Sequence, residues 1–193
     1  MTDTPQAPQG NTGDIINWPM LKVHYRTDPD AIAALLPPGI TVGAEPNVNL
    51  TVYNFPVPDV PEYGIVTTVN ADFNGVQGEY TLGYGIDQES AIFISQETNG
   101  QPKYPAEIDY HRIGPMVRAR CTHQGYTFLE FEGVSEGSAG PQPEWEQNEW
   151  WIKVSRAVSI GGPATGYDFP PHVVHVKSKY GTAWQESVQG KLT

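Results

Sequence analysis

Residues 64–86 read GIVTTVNADFNGVQGEYTLGYGI. Two runs rich in β-branched and aromatic residues, 64–73 and 79–86, flank a segment containing Asn74-Gly75. Such runs bounded by Gly, Asn and Asp predict strands joined by a turn. The same pattern extends outward in both directions. It predicts further strands over 20–26, 48–55 and 90–97, then over 115–123, 125–132, 149–158, 172–180 and 181–188. Turn signals every 10–15 residues or so point to a sandwich or barrel, not to parallel β-α units. One helix interrupts them. Asp28 suits an N-cap and Pro29 the first helical position, and Ala31, Ile32, Leu35 and Leu36 form an apolar stripe that Pro37-Pro38-Gly39 stops. The acidic, Pro-containing segment 133–148 is expected to be a loop anchored by Trp145. The predicted fold class is mainly β (α+β).

Composition sets the limits. A chain of 193 residues with 38% hydrophobic content, 20 Gly and 18 Pro suits one turn-rich domain with few long helices. Residues 1–14 read as a flexible tail without a signal peptide. No run approaches the roughly 20 apolar residues that span a bilayer. Cys121 is the one cysteine, so no internal disulfide can form and a reducing, cytoplasmic location is expected. Eleven basic residues stand against 22 acidic ones, for a formal net charge of −11. That balance disfavours nucleic acid and anionic membranes as partners.

The six lysines are at 22, 103, 153, 177, 179 and 191. Lys103 follows the apolar run Ala91-Ile92-Phe93-Ile94, and Gly100 and Pro102 turn the chain just before it. This arrangement predicts rigid delivery near the core. A lysine in apolar surroundings loses hydration of its ammonium form, and its pKa falls from about 10.4 by up to 3–5 units. The neutral amine then attacks carbonyls and forms Schiff bases. The alternative is a surface lysine after a turn.

Three segments together carry a family resemblance. Tyr25-Arg26-Thr27-Asp28 with Leu36-Pro37-Pro38-Gly39-Ile40, Phe73 through Tyr80, and Glu97 through Lys103 occur in order. This set resembles the acetoacetate decarboxylase family, closely over 20–106 and loosely elsewhere. The resemblance implies that 15–193 form a single closed or cone-like antiparallel β-barrel, usually assembled into homo-oligomers. It implies that Lys103 forms an imine with a small keto acid or other carbonyl substrate, with Glu97 as its catalytic support. That family is also a standard example of a lysine activated by desolvation or a neighbouring cation.

The sequence departs from the family pattern at several points. Tyr104 stands where a second lysine follows the first, and Gln101 replaces an aromatic residue. Trp18 falls near the place of an active-site arginine, and Glu62 meets an expected acidic position only with a small shift. The chain also ends soon after Trp184, short of the closing segment of longer members. Glu62, Gln101, Tyr104 and Trp18 are therefore expected around the substrate. β-Keto acid decarboxylation is the reaction implied. The changed residues favour aldol condensation with dehydration as the alternative, and a barrel that only binds a small ligand is the other.

Other residues are read as structural. His172 and His175, three apart on a strand, face opposite ways and make a poor metal pair. His111 is expected to be exposed, Arg118 and Arg120 to pair outward, and Lys177 and Lys179 to lie on a solvated face. Of Trp150 and Trp151, one is expected to face inward. The stretch 161–166 (GGPATG) lacks a strand-helix context and the lysine of a phosphate loop, so it reads as a turn. No metal, nucleotide or flavin is implied.

Overall fold

The computed structural model describes residues 19–55, 61–157, 166–181 and 183–193. The tail expected over 1–14, Trp18 and the turn 161–165 lie outside them. The chain runs β1 (Met20–Arg26), α1 (Pro29–Ala33), β2 (Thr41–Val42), β3 (Asn47–Phe55), β4 (Glu62–Phe73) and β5 (Val76–Ile86). It continues through α2 (Glu89–Asn99), β6 (Lys103–Pro105), β7 (Glu107–Ile113), β8 (Met116–His123) and β9 (Tyr126–Gln142). β10 (Trp145–Arg156), β11 (Tyr167–Tyr180) and β12 (Ala183–Leu192) complete it.

These strands form two sheets. The larger has eight strands in the order β1-β3-β4-β5-β10-β11, with β2 on β4 and β6 on β5. The smaller is ordered β12-β9-β8-β7. Most pairings are antiparallel, but β5 pairs in parallel with both β6 and β10.

No sheet closes into a barrel by backbone hydrogen bonds among the described residues, which corrects the expected closed barrel. β1 and β11 remain edges of the larger sheet. Their side chains approach, the Lys22 ammonium of β1 lying 5.8 Å from the centre of the Tyr180 ring of β11 and 5.4 Å from that of Trp145 at the start of β10. The larger sheet therefore curls into a trough.

Strand alternation gives that trough two unlike faces. Leu21, Val48, Leu50, Val52, Ile65 and Val69 form the convex face. They pack against Tyr110, Val117, Ala119, Cys121, Leu129 and Phe131 of the smaller sheet in one core. Ile32 of α1 joins the same core. The cross-strand register places Lys22, His24, Asn49, Tyr53, Glu62, Thr68, Glu79 and Thr81 on the other, concave face.

Two expectations about elements are corrected. Residues 90–97 are helical. The run from Ala91 to Ile94 buries Ile92 alone, leaving Phe93 59% and Ile94 63% exposed, so its apolar content does not mark a buried strand. The helix ends on Gly100 at φ 71°, with Gly100 N–H donating to Gln96 and Gln101 N–H to Ser95. The Gly100-to-Gln96 bond with a left-handed Gly100 is an αL cap. Residues 133–148 are mostly strand, since β9 pairs with β12 as far as Gln142. Gly133 and Gly190 permit it, because a Cβ on either would lie under 3 Å from the Phe131 ring. Trp145 opens β10 and stacks on Tyr180 at 4.5 Å.

Candidate active site

Lys103 is the first residue of β6, and three features fix it. β6 pairs with β5 so that Lys103 lies beside Tyr84. Tyr84 N–H donates to the Pro102 carbonyl at 2.9 Å, and the Gln96 side-chain amide donates to the Lys103 carbonyl at 2.5 Å. The side chain points into the trough with 10% of its surface exposed. There its Nζ lies 3.8 Å from Glu62 Oε2, whose side chain is 11% exposed. Glu62 comes from the start of β4, and its Oε1 accepts from the Tyr53 hydroxyl at 2.6 Å. Burial and the Glu62 carboxylate both raise the pKa of Tyr53, so it stays protonated as a donor.

A second polar group stands beside the first. Buried Glu149 accepts from the Trp151 indole at 2.6 Å, from the Tyr84 hydroxyl at 3.0 Å and from the Thr81 hydroxyl. Tyr84 is raised well above the usual phenol pKa, chiefly by burial and then by the charge of Glu149. Beyond it, Glu79 accepts from Thr68, to which Asn49 donates at 3.2 Å. Asn49 Oδ1 in turn meets His24 at 2.7 Å. Burial raises the Glu79 carboxyl pKa, and Glu149 adds to the rise. Thr68, Lys22 and His24 partly oppose it. Burial lowers the Lys22 ammonium pKa against the pull of Glu79.

Of the sequence candidates, the structure brings Lys103 and Glu62 together. Glu97 sits on α2 with its side chain 81% exposed, 3.8 Å from Lys153 Nζ. Tyr104, the next residue after Lys103, faces the opposite way. Its ring meets His123 at 5.2 Å and Phe128 at 6.4 Å, in space left by Gly83 and Gly85. Gln101 contributes its backbone to the turn, accepting from Lys103 N–H at 2.7 Å. Tyr53, Tyr84, Glu149, Glu79 and Lys22 were not singled out. Their signal is a polar residue at every second strand position, which by itself does not distinguish a solvated face from an enclosed one.

The residues expected to be structural have their own partners. Arg118 pairs with Glu132, Arg120 with Glu130 at 3.2 Å, and Lys177 with Glu146 at 2.8 Å. His111 and the two arginines line a polar hollow of about 440 Å³ on the outer face of the smaller sheet. His175 meets Asn148 at 2.9 Å, and His172 packs edge-on against Phe169. Trp150 and Trp151 are both buried. Among the described residues, no three His, Cys, Asp or Glu side chains are placed to hold a metal ion. No helix among them is long and apolar enough to cross a membrane.

The family model for acetoacetate decarboxylase matches residues 3–193. The chain belongs to the acetoacetate decarboxylase family. An acetoacetate decarboxylase of Paraburkholderia phytofirmans is 36% identical over 105 residues, covering 52% of this chain and 40% of that protein. One of Clostridium botulinum is 28% identical over 101 residues, covering 50% and 39%. The matched region thus spans about two-fifths of these relatives' length. A solved acetoacetate decarboxylase covers 96% of this chain and 77% of its own, with a TM-score of 0.71 at 17% identity. The enduracididine biosynthesis enzyme MppR, solved with the condensation product of pyruvate and imidazole 4-carboxaldehyde, covers 91% and 74%. Its TM-score is 0.65 at 20% identity. At these identities the two structures establish the likeness of fold alone.

Proposed function

We propose that the protein is a Schiff-base lyase that decarboxylates a β-keto acid through Lys103. The observation that carries this reading is the enclosed pair of Lys103 and Glu62, with Tyr53 donating to the carboxylate. The Lys103 amine, once neutral, adds to the ketone carbon, and water leaves to give an imine. The protonated imine accepts the electron pair of the breaking carbon–carbon bond. Carbon dioxide departs and an enamine remains. A proton returns to the enamine carbon, and water hydrolyses the resulting imine to free the ketone and the amine. Glu62 is placed to take and return the protons at nitrogen, and Tyr53 steadies its carboxylate.

A second reading uses the same imine for condensation with an aldehyde and loss of water. The chain of donors and acceptors through Tyr84, Thr81, Trp151 and Glu149 favours it, since that reaction needs more proton transfers than decarboxylation. A trough that only binds a carbonyl ligand is the remaining alternative.

Borohydride reduction with acetoacetate, pyruvate or a longer β-keto acid, followed by intact-mass spectrometry, tests all three. A reduced adduct absent from Lys103→Ala supports imine chemistry. Its mass separates a decarboxylated product from a condensed one. A folded protein that traps none of these acids overturns the catalytic reading.

A further inference from the structure

Lys103 reaches the trough on a strand of three residues. β6 pairs with β5 at Tyr84, Gly85 and Ile86, and with no other strand among the described residues. Alternation turns Lys103 into the trough and Tyr104 the other way, and a slip of one residue would exchange them. So short a ladder leaves the place of Lys103 dependent on whatever braces β6 from outside the sheet.

The end of α2 is that brace. The Gln96 side-chain amide donates to the Lys103 carbonyl at 2.5 Å. The Gln96 carbonyl in turn accepts from Gly100 N–H at 3.0 Å and from Lys153 Nζ at 3.2 Å. Carbonyls in the last turn of a helix carry partial negative charge and attract cations. α2 has no basic residue in its own last turn. Lys153 supplies the cation from β10, with only 15% of its side chain exposed. Its other contact, at 3.8 Å, is with Glu97, whose side chain is 81% exposed. Water competes for a pair of that kind and leaves it weak. The bond to the Gln96 carbonyl is therefore the one that holds α2. Neither reading of the reaction uses Lys153, yet it stands on the strand that carries Glu149 and Trp151. It joins that strand to the helix end on which Lys103 hangs.

We propose that Lys153 is a positioning residue for Lys103. Its ammonium ties the last turn of α2 to β10, and the Gln96 amide extends that constraint to the Lys103 backbone. The effect on reaction rests on the imine reading of Lys103, whereas the brace itself does not.

Amide hydrogen exchange and borohydride trapping test the two parts separately. Tyr84 N–H donates to the Pro102 carbonyl and Ala106 N–H to that of Ile86, so both amides report the opening of β6 from β5. Lys153→Met keeps the length of the side chain and removes its charge. In that variant both amides should exchange about tenfold faster, the effect of losing one hydrogen bond to a charged group. Amides of the smaller sheet should keep their rates. The maximal rate of keto acid trapping should fall by about tenfold or more at an unchanged half-saturating concentration, as misplacing a reacting group does. Lys153→Arg should retain both properties. Lys177→Met, which breaks an exposed pair with Glu146 on the same sheet, should alter neither. Unchanged exchange at Tyr84 and Ala106 in Lys153→Met overturns the proposal. Equal acceleration across both sheets also overturns it, because that marks a general loss of stability. Local acceleration with undiminished trapping overturns the positioning role. If the wild-type protein traps no keto acid, the imine reading fails instead, and the exchange rates alone decide the brace.

Discussion

At 3.8 Å the Lys103 ammonium and the Glu62 carboxylate form an ion pair screened from water on most sides. Removing one partner of such a pair leaves the other charge uncompensated. Glu62→Gln keeps the shape and the Tyr53 contact but cannot take up a proton. It should slow adduct formation by about 10²–10⁴-fold, the usual contribution of a positioned acid–base group, as read from the time course of borohydride trapping. Glu97→Gln, altered on an exposed side chain, should leave that time course unchanged. Cys121 offers a separate check. Burial, with Asp109 nearby, pushes its thiol up to about 12. It should resist iodoacetamide at neutral pH in the folded protein and react once urea unfolds it. At this scale the sequence motif led to Lys103, and Glu62 was legible as a displaced acidic residue. Glu97 was expected beside Lys103 on the family resemblance, and the helix that carries it turns its side chain outward, 81% exposed. Glu149 and Lys22 were not legible, since no local pattern says which face of a strand another sheet will cover.

α2 is the element that decides where Lys103 stands, because its C-cap leads directly into β6. Gly100 holds φ 71°, and a Cβ there would lie 2.6 Å from the Lys153 Cα. Gly75 shares a positive φ of 80° but has nothing within 4 Å. Gly100→Ala therefore meets backbone strain and a clash together, and Gly75→Ala meets strain alone. A non-glycine residue in the left-handed region costs about 1–3 kcal/mol, which in a chain of this size lowers Tm by several degrees. Calorimetry should show a larger fall for Gly100→Ala. Trapping should separate the two further, being impaired in Gly100→Ala alone. α1 was legible because its cap chemistry is local, with the Asp28 side chain accepting from Asp30 N–H. α2 was not, because four apolar residues in a row fit a strand or a helix equally well. β7 went unread although Ile108 and Tyr110 alternate with polar neighbours, because it adjoins the turn that carries Lys103.

Across the whole molecule, the eight-stranded sheet buries the carboxyl groups of Glu62 and Glu149 and half-buries that of Glu79. On the trough floor, Glu79 is half-buried and its carboxyl pKa is raised, chiefly by desolvation. With its folded pKa above the usual 4.5, the native state binds more protons than the unfolded chain through the interval between the two values. Stability should therefore fall as pH rises from about 4.5 to the folded value, then level off. Glu79→Gln removes that contribution, so urea midpoints should show the variant gaining on the wild type across the same interval. No such relative gain would indicate that Glu79 ionises as freely in the fold as outside it. The strand-rich class was legible from alternation and turn residues. Pairing partners were not, since β5 takes neighbours from two distant segments and strand propensity does not specify which.

One consequence follows from the alternation along β3, β4 and β5. Odd and even positions of the same strand answer to different demands: Val48, Leu50 and Val52 to packing, Asn49 and Tyr53 to the trough. Inheritance can then treat the two sets separately. A trough residue can be replaced without altering the hydrocarbon layer packed on the other face of the strand. Such a scaffold lets a lineage diverge in reaction while its descendants remain superimposable.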